Sequence, residues 1–398
     1  MSDIQKNNRP NVPNLRFPEF SGEWKKIRVS DLLEFFSTNS LSWDQLEYGG
    51  TDIFNLHYGL IHSGLSTQIS LKKSILPSVK SEYRPRNYTL CEDGDVAFAD
   101  ASEDTNEVGK VVEFVDCAGK EIVCGLHTIH GRDKLGKTVV GFKGYAFSSP
   151  AFHNQIRRIA QGTKIFSINT GNFEEIFIGV PQKEEQDKIS HLLSLLDQRI
   201  AIQNRIIEKY ESLIKAIRLR VFSEILSEYE CKQAIIADVL QYEQPAKYIV
   251  NSTEYLNDSS LTPVLTANKA FILGYTDETS GIYKKGECII LDDFTLDCKM
   301  VDFPFKVKSS AIKILTPRAG MNLRYIYEYL NYLELETTEH KRHYITEIEP
   351  MTIAIPEPNI IERIADVFNL LNGRLSCSKE LLQTFLLLKR HILHQMFI

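Results

Sequence analysis

One long helical pattern occurs twice in this chain, over Pro181–Phe222 and again over Pro356–Phe397, in register without a gap. Identities are few (Pro181/Pro356, Ile189/Ile364, Leu195/Leu370, Leu196/Leu371, Arg199/Arg374, Ile217/Ile392 and Phe222/Phe397 among them), but the spacing is strict. Alternating steps of four and three run through Ile189, Leu193, Leu196, Ile200, Gln203, Ile207, Tyr210, Ile214, Ile217 and Val221. The same steps in the second copy meet Ile364, Phe368, Leu371, Leu375, Ser378, Leu382, Phe385, Lys389, Ile392 and Met396. Apolar residues at that average spacing of 3.5 form the seam of a coiled coil. Both seams meet their first polar residue at the same step, Gln203 and Ser378. Two long helices that match each other predict that they pair with each other and hold apart whatever lies between them.

The repeat extends past the helices. A strand-like segment ending in proline precedes each one, Ile176–Pro181 and Met351–Pro356. Short apolar helical turns open each half, at Ser30–Phe35 and Ala237–Tyr242, and matching strands that open into polar loops follow within Ile53–Ile61 and Val264–Ile272. A further strand after a glycine turn appears at Glu92–Asp100 and Lys284–Asp292. The simplest account is two divergent copies of one αβ unit, an α+β chain divided as 1–180, 181–230, 231–355 and 356–398. Between these landmarks, Val111–Val115, Glu121–Val123 and Val139–Phe142 read as strands. Pro150–Ile159 and Asn322–Leu335 read as helices, the second with a core-packing stripe of Tyr325, Tyr329 and Tyr332.

Composition excludes several classes. At 43% hydrophobic and 25% charged over 398 residues, the chain has enough apolar content for two domain cores. No apolar run reaches the roughly 18 residues of a membrane span, and the start has no secretory pattern, so a cytoplasmic protein is expected. Seven cysteines form no CxxC pair and no zinc-type spacing, so they read as reduced, buried thiols without a structural metal. The net charge of −6 is spread as +3 over 1–30, −5 over 31–180, −1 over 181–230, −4 over 231–355 and +1 over 356–398. That balance argues against strong nucleic-acid binding by the chain alone.

Gly131–Thr138 satisfies GxxxxGK[ST] to the letter. A phosphate-binding loop needs a buried strand before it and a helix immediately after. GLHTIH does not read as the first, nor VVGFKGYAF as the second. His127 and His130 read as structural or solvated. No nucleophile–base array, zinc motif or methyltransferase signature is present, and the sequence reads as a non-enzyme with no catalytic residue, metal or cofactor.

The opening PNLRFPEFSGEWKKIRVSDLLEF, the GLHTI segment and the PQKEEQDKI helix start with its partial repeat resemble the DNA-specificity subunit of type I restriction–modification systems. The resemblance covers essentially the whole chain. It implies two tandem target-recognition domains, each reading one half of a bipartite site in double-stranded DNA. It also implies that the helices pair as an antiparallel coiled coil of pseudo-two-fold symmetry that sets the spacer. Two modification subunits, which bind S-adenosylmethionine, would clamp onto this core, and restriction (motor–nuclease) subunits would join them. A different class, a coiled-coil scaffold whose twin domains bind protein partners, is favoured only by the acidic balance.

Within that resemblance, matching polar loops at Asn55, His57, Tyr58 and at Thr266, Asn268, Lys269 are either base readers or ordinary turns. Phosphate-contact candidates in the first half are Lys72, Lys73, Arg84, Arg86, Arg132, Lys134, Lys137 and Lys143. In the second they are Lys284, Lys285, Lys306, Lys308, Lys341 and Arg342.

Overall fold

The structure is a computed structural model that describes residues 11–50, 52–72, 74–266, 270–337, 339 and 341–398. The chain divides into two compact units. One runs to Asn204 and takes in Leu381–Ile398; the other is Arg205–Glu380.

In the first unit, strand Lys25–Arg28, a single helical turn Val29–Leu32 and strand Leu33–Phe36 follow without a break. The turn buries Val29 and Leu32, which the sequence places three apart so that both face inward. Lys25–Arg28 pairs antiparallel with Phe177–Val180, the strand that leads into the long helix Lys183–Glu228. Leu33–Phe36 begins a five-stranded sheet in the order Leu33–Phe36, Thr128–Asp133, Val96–Ala99, Val111–Asp116 and Gln68–Ser70. A four-stranded sheet of Glu121–Cys124, Ile53–Leu56, Ser78–Val79 and Leu46–Glu47 lies beside it in sequence space and shares its cysteine-containing core. The main core joins Trp24, Phe98, Phe142, Phe147 and Phe152 to Ile189, Leu193 and Leu196 of the long helix and to Ile392, Met396 and Phe397.

The second unit repeats this wiring. Strand Lys232–Ile235, turn Ile236–Val239 and strand Leu240–Glu243 have the same lengths as their counterparts. Lys232–Ile235 pairs antiparallel with Thr352–Ile355, the strand before helix Pro358–Gln395. A four-stranded sheet runs Leu240–Glu243, Ile312–Pro317, Cys288–Asp292 and Cys298–Val301. Its order matches the first four strands of the five-stranded sheet. Three more strands, Ile272–Thr276, Thr262–Leu265 and Lys306–Val307, form a smaller sheet. Phe222 sits at the centre of the core, with Tyr325, Tyr329, Tyr332 and Phe368 around it at 5.3–6.5 Å. The tyrosine stripe is therefore core packing, on a helix observed as Leu323–Tyr332.

Along the helices, every residue of the two expected seams is buried or half-buried, Gln203 and Ser378 included. Flanking Leu195, Leu213, Leu381 and Leu388 are exposed. Within the first unit Lys389, a charge on the seam, pairs with Asp197 at 2.6 Å and lies over the Tyr145 ring. Within the second, Lys379 pairs with Glu211 at 2.7 Å.

Three sequence expectations are corrected. Val139–Phe142 is not a strand. The chain turns there, and the short buried helix Phe142–Phe147 follows from Gly141, at φ +94°. The buried Glu113 carboxylate accepts the Gly141 and Gly144 amides at 2.9 and 2.7 Å, filling the positive helix start. Ile53–Ile61 is strand only to Leu56; His57 then caps the helix Tyr58–His62 through Gly59 N–H. Finally, GLHTIH does lead into a buried strand, Thr128–Asp133.

Candidate nucleic-acid interface

The glycine-rich GxxxxGKT segment is closed upon itself. Gly131 lies inside the strand rather than in a loop after it. Asp133 takes both Thr138 donors, the amide at 2.8 Å and the hydroxyl at 2.6 Å. Gln186 on the long helix donates to the Lys137 carbonyl at 3.0 Å and accepts the Val139 amide at 2.9 Å. The groups that would cradle a phosphate are thus spent on holding this turn against the helix.

That helix start is itself clamped from the N-terminal segment. Glu185, fully buried in the first turn, receives Arg16 through Nε and Nη2 at 2.8 and 2.7 Å, and Trp24 Nε1 at 3.2 Å. The resemblance motifs around Arg16, Trp24 and Glu185 therefore meet at one structural joint.

Several sequence candidates are interior. Asn55 has no exposure, and its carboxamide donates to Asn39 Oδ1 at 3.1 Å. A Cβ on Gly125 would come within 2.1 Å of Asn55 Oδ1, which explains the glycine there. His57 is buried between the rings of Trp43 and Tyr58, at 4.4 and 4.7 Å, and burial pushes its pKa down, with His127 adding to the effect. Arg132 spans Asp95, Glu92 and the Leu90 carbonyl at 2.7–2.9 Å. Lys143 is buried against Glu113 and Thr138. Lys306 is 2% exposed and pairs with Glu278 at 2.7 Å. These placements correct the expectation that Asn55, His57, Arg132, Lys143 and Lys306 face a duplex, because their polar ends are committed inside the fold. Sequence reasoning missed this since the charged partners Asp95, Glu113 and Glu278 lie tens of residues away from Arg132, Lys143 and Lys306.

Other candidates are at the surface. Lys72 pairs with Asp116, Arg84 with Glu121, Lys285 with Glu243, and Lys341 with Glu339 and Glu347. Arg342 reaches Ser310 Oγ at 3.2 Å and Lys134 the Ser30 carbonyl at 3.0 Å. Arg86, Lys137, Lys284 and Lys308 are exposed, and their side chains have no partner among the described residues. Thr266 is half-buried, its amide bonded to the Phe271 carbonyl at 3.0 Å. Lys73, Asn268 and Lys269 lie outside the described residues.

One cleft in the first unit gathers aromatic, imidazole and acidic side chains, Glu103 and Glu107 among them. Tyr58, His62, Ala101, Ser102, Lys110 and His127 line it. Tyr58 packs edge-on to His127 at 5.1 Å and to His62 at 5.9 Å. His127, from the GLHTI segment, has φ +54° and donates from Nδ1 to the Asp100 carboxylate at 3.1 Å. A non-glycine residue held in that left-handed region is strained, and such strain gathers at functional sites. The aromatic faces and imidazole edges there can stack on or hydrogen-bond to a base. In the second unit a cleft is lined by Thr262, Ile272, Tyr275, Glu278, Lys284 and Phe303.

Among the described residues no helix is long and apolar enough to cross a membrane. Residues 21–212 match the family model described as the type I restriction modification DNA specificity domain. The chain is 41% identical over 169 residues to the Escherichia coli type I restriction enzyme EcoR124I/EcoR124II specificity subunit, a match covering 38% of this chain and 42% of that one. It therefore spans under half the length of that curated relative. Among solved structures, the type I restriction–modification S subunit from M. genitalium superimposes with a TM-score of 0.62 at 15% identity, covering 97% of this chain and 99% of the other. A structure described for complex assembly and conformational transition of the type I R-M system gives a TM-score of 0.52 at 14% identity, covering 93% and 96%. The fold is shared along nearly the whole chain, and residues 21–212 are similar to the type I restriction modification DNA specificity domain.

Proposed function

We propose that this chain is the non-catalytic DNA-reading subunit of a type I restriction–modification complex. Each unit reads one half of a bipartite duplex site. The two long helices run antiparallel along one coiled-coil seam and set the gap between half-sites. The observation that carries this reading is the repeated wiring. Both units have the same strand–turn–strand opening and the same four-strand order, and each takes in a segment of both long helices. A protein of two-fold pseudo-symmetry suits a split target with fixed half-site spacing.

The exposed leucines flanking the seam, Leu195, Leu213, Leu381 and Leu388 among them, suit the docking of two modification subunits, with S-adenosylmethionine held there. Restriction subunits would join that assembly, in the cytoplasm. In the first unit the cleft of Tyr58, His62 and His127 contacts bases, while Arg86 and Lys137 are free for phosphate. Lys284 and Lys308 have the same role in the second.

The experiment is methylation mapping in methylation-free cells that express this chain with a type I modification subunit, against the modification subunit alone. Methyladenine in both halves of a split motif, present only with this chain, is the expected result. An assembled complex that adds no methylation rejects the reading and favours a scaffold. Inserting four residues near Asn204 lengthens the helix by roughly 6 Å, and is expected to widen the gap by about two base pairs with both half-sites unchanged.

A further inference from the structure

Three side chains from the first unit converge in a place that neither DNA reading nor helix pairing uses. The Cys91 and Cys124 sulfurs and a ring nitrogen of His130 all lie within 4.8 Å of one another, and all three residues are buried. This is the one group of metal-capable side chains found among the described residues. The sulfurs are 3.6 Å apart. Two thiolates on one tetrahedral zinc, each bonded at about 2.3 Å, sit roughly 3.8 Å apart.

Sulfur spacing alone also fits a thiol–thiol hydrogen bond, so the histidine decides. His130 has no exposure. Its Nε2 is held by the buried Asp95 carboxylate at 2.8 Å, while Nδ1 is buried without any hydrogen-bond partner. A buried ring nitrogen left unpaired is costly. A carboxylate on the opposite nitrogen is the arrangement that orients a metal-bound imidazole and fixes its tautomer. Asp95 is in turn held by Arg132 Nε and Nη2 at 2.8 and 2.7 Å. The Phe36 ring lies 5.1 Å from His130.

Charge favours the same reading. Two thiolates cancel a divalent cation, and the Asp95–Arg132 pair cancels itself, so the filled site is neutral and suits burial. Cys91, Cys124 and His130 come from or adjoin the strands of two different sheets, so one ion would tie these sheets together. The second unit provides an internal control. In strand register, His130 pairs with Phe36 and Ala97, and the counterpart that pairs with Glu243 and Ile290 is Ile314. A ligand is thus replaced by an aliphatic core residue.

We propose that Cys91, Cys124 and His130 Nδ1 form a structural site for a soft divalent cation, zinc foremost, with Asp95 as the positioning residue. Thiolate and imidazole donors select zinc over the hard cations. Three protein ligands leave one position for a further donor. Cys117, whose Sγ lies 3.6 Å from the Cys91 carbonyl, is close enough to be considered for it.

The test uses the full chain, produced with zinc in the medium and desalted under reducing conditions. Elemental analysis is expected to give about one zinc per chain. After removal of zinc, Co2+ is expected to produce a thiolate-to-cobalt charge-transfer band. Cys124→Ala and His130→Gln are each expected to lower zinc content at least about tenfold. A wild-type chain without zinc that also gives no cobalt band overturns the proposal, and needs no variant to fold. So does a Cys91–Cys124 disulfide in the freshly isolated protein, which would make the pair a redox couple instead. Metal retained at full stoichiometry in both variants likewise overturns it.

Discussion

The two units share one wiring plan and fill it with different chemistry. At the strand that follows the opening helical turn, the first unit has Phe36 where the second has Glu243, each paired with the same neighbouring strand. Phe36 lies under the Arg132 guanidinium, 5.0 Å from it, next to Asp95 and His130. Glu243 instead gathers Lys247, Lys285 and Tyr248 at 2.7–2.9 Å. Helix starts differ too. The first unit buries Glu185 under Arg16 and Trp24, whereas Glu357, before the second long helix, is exposed. Backbone wiring tolerates such exchange because strand order and apolar alternation do not depend on which polar cluster closes each joint.

The comparison breaks first at the helix ends. Phe222 and Phe397 occupy equivalent positions in the repeat, yet Phe222 belongs to the second unit's core and Phe397 to the first's. Phe222→Ala is expected to cost about 3–5 kcal/mol, felt in the second unit, and Phe397→Ala a similar amount in the first. Urea unfolding followed by hydrogen exchange in each unit checks this; loss in the opposite unit would refute the assignment.

Glu185→Ala leaves the partly buried Arg16 without its partner and is expected to cost about 3–5 kcal/mol, all in the first unit. Glu357→Ala, at the exposed entry to the second long helix, should stay within about 0.5 kcal/mol. Equal effects would mean that the two helix starts are not built differently.

Acid titration separates the units more finely. Burial pushes the Glu243 carboxyl up, but hydrogen bonds from Lys247, Lys285 and Tyr248 outweigh it and hold the pKa down at about 2. A depressed carboxyl contributes stability that is complete above the unfolded value of about 4.3 and is lost as pH falls through the folded one. The second unit's urea midpoint is therefore expected to fall between about pH 5 and pH 2, with Glu243→Gln removing part of that fall. Phe36 gives the first unit no such contribution at this position.

The smallest effect concerns surface charge. Under the proposed function, Arg86→Ala and Lys284→Ala are each expected to reduce the slope of log affinity against log salt by about one, leaving sequence preference unchanged. Lys306→Ala is expected to destabilise the second unit instead, because Lys306 is buried on Glu278. Filter binding across a salt series, beside a melting curve, distinguishes the two behaviours.

Periodicity made much of this architecture readable. The two long helices and the helix Pro150–Ile159 rest on apolar spacing within a few turns of chain, and the structure has them; the opening turns are there too, but end at Leu32 and Val239 where strand takes over. What was not readable depends on distant partners. Lys306 and Arg132 look like surface cations until Glu278 and Asp95, tens of residues away, are folded onto them. Cys91, Cys124 and His130 have no metal-type spacing because three separate stretches bring them together. The turn at Gly141 was misread as strand since its β-branched residues carry no sign of the Glu113 carboxylate that waits for the helix.

The closing residues of the chain have a consequence for the order of events during synthesis. Ile392, Met396 and Phe397 complete the core around Trp24, and Leu15 N–H donates to the Gln395 carbonyl at 2.9 Å. Domains ordinarily fold one after another as they leave the ribosome. Here the unit that is begun first must wait for Leu381–Ile398, which are made after all of the second unit, so the second unit, fully synthesised by Glu380, has its whole sequence available earlier.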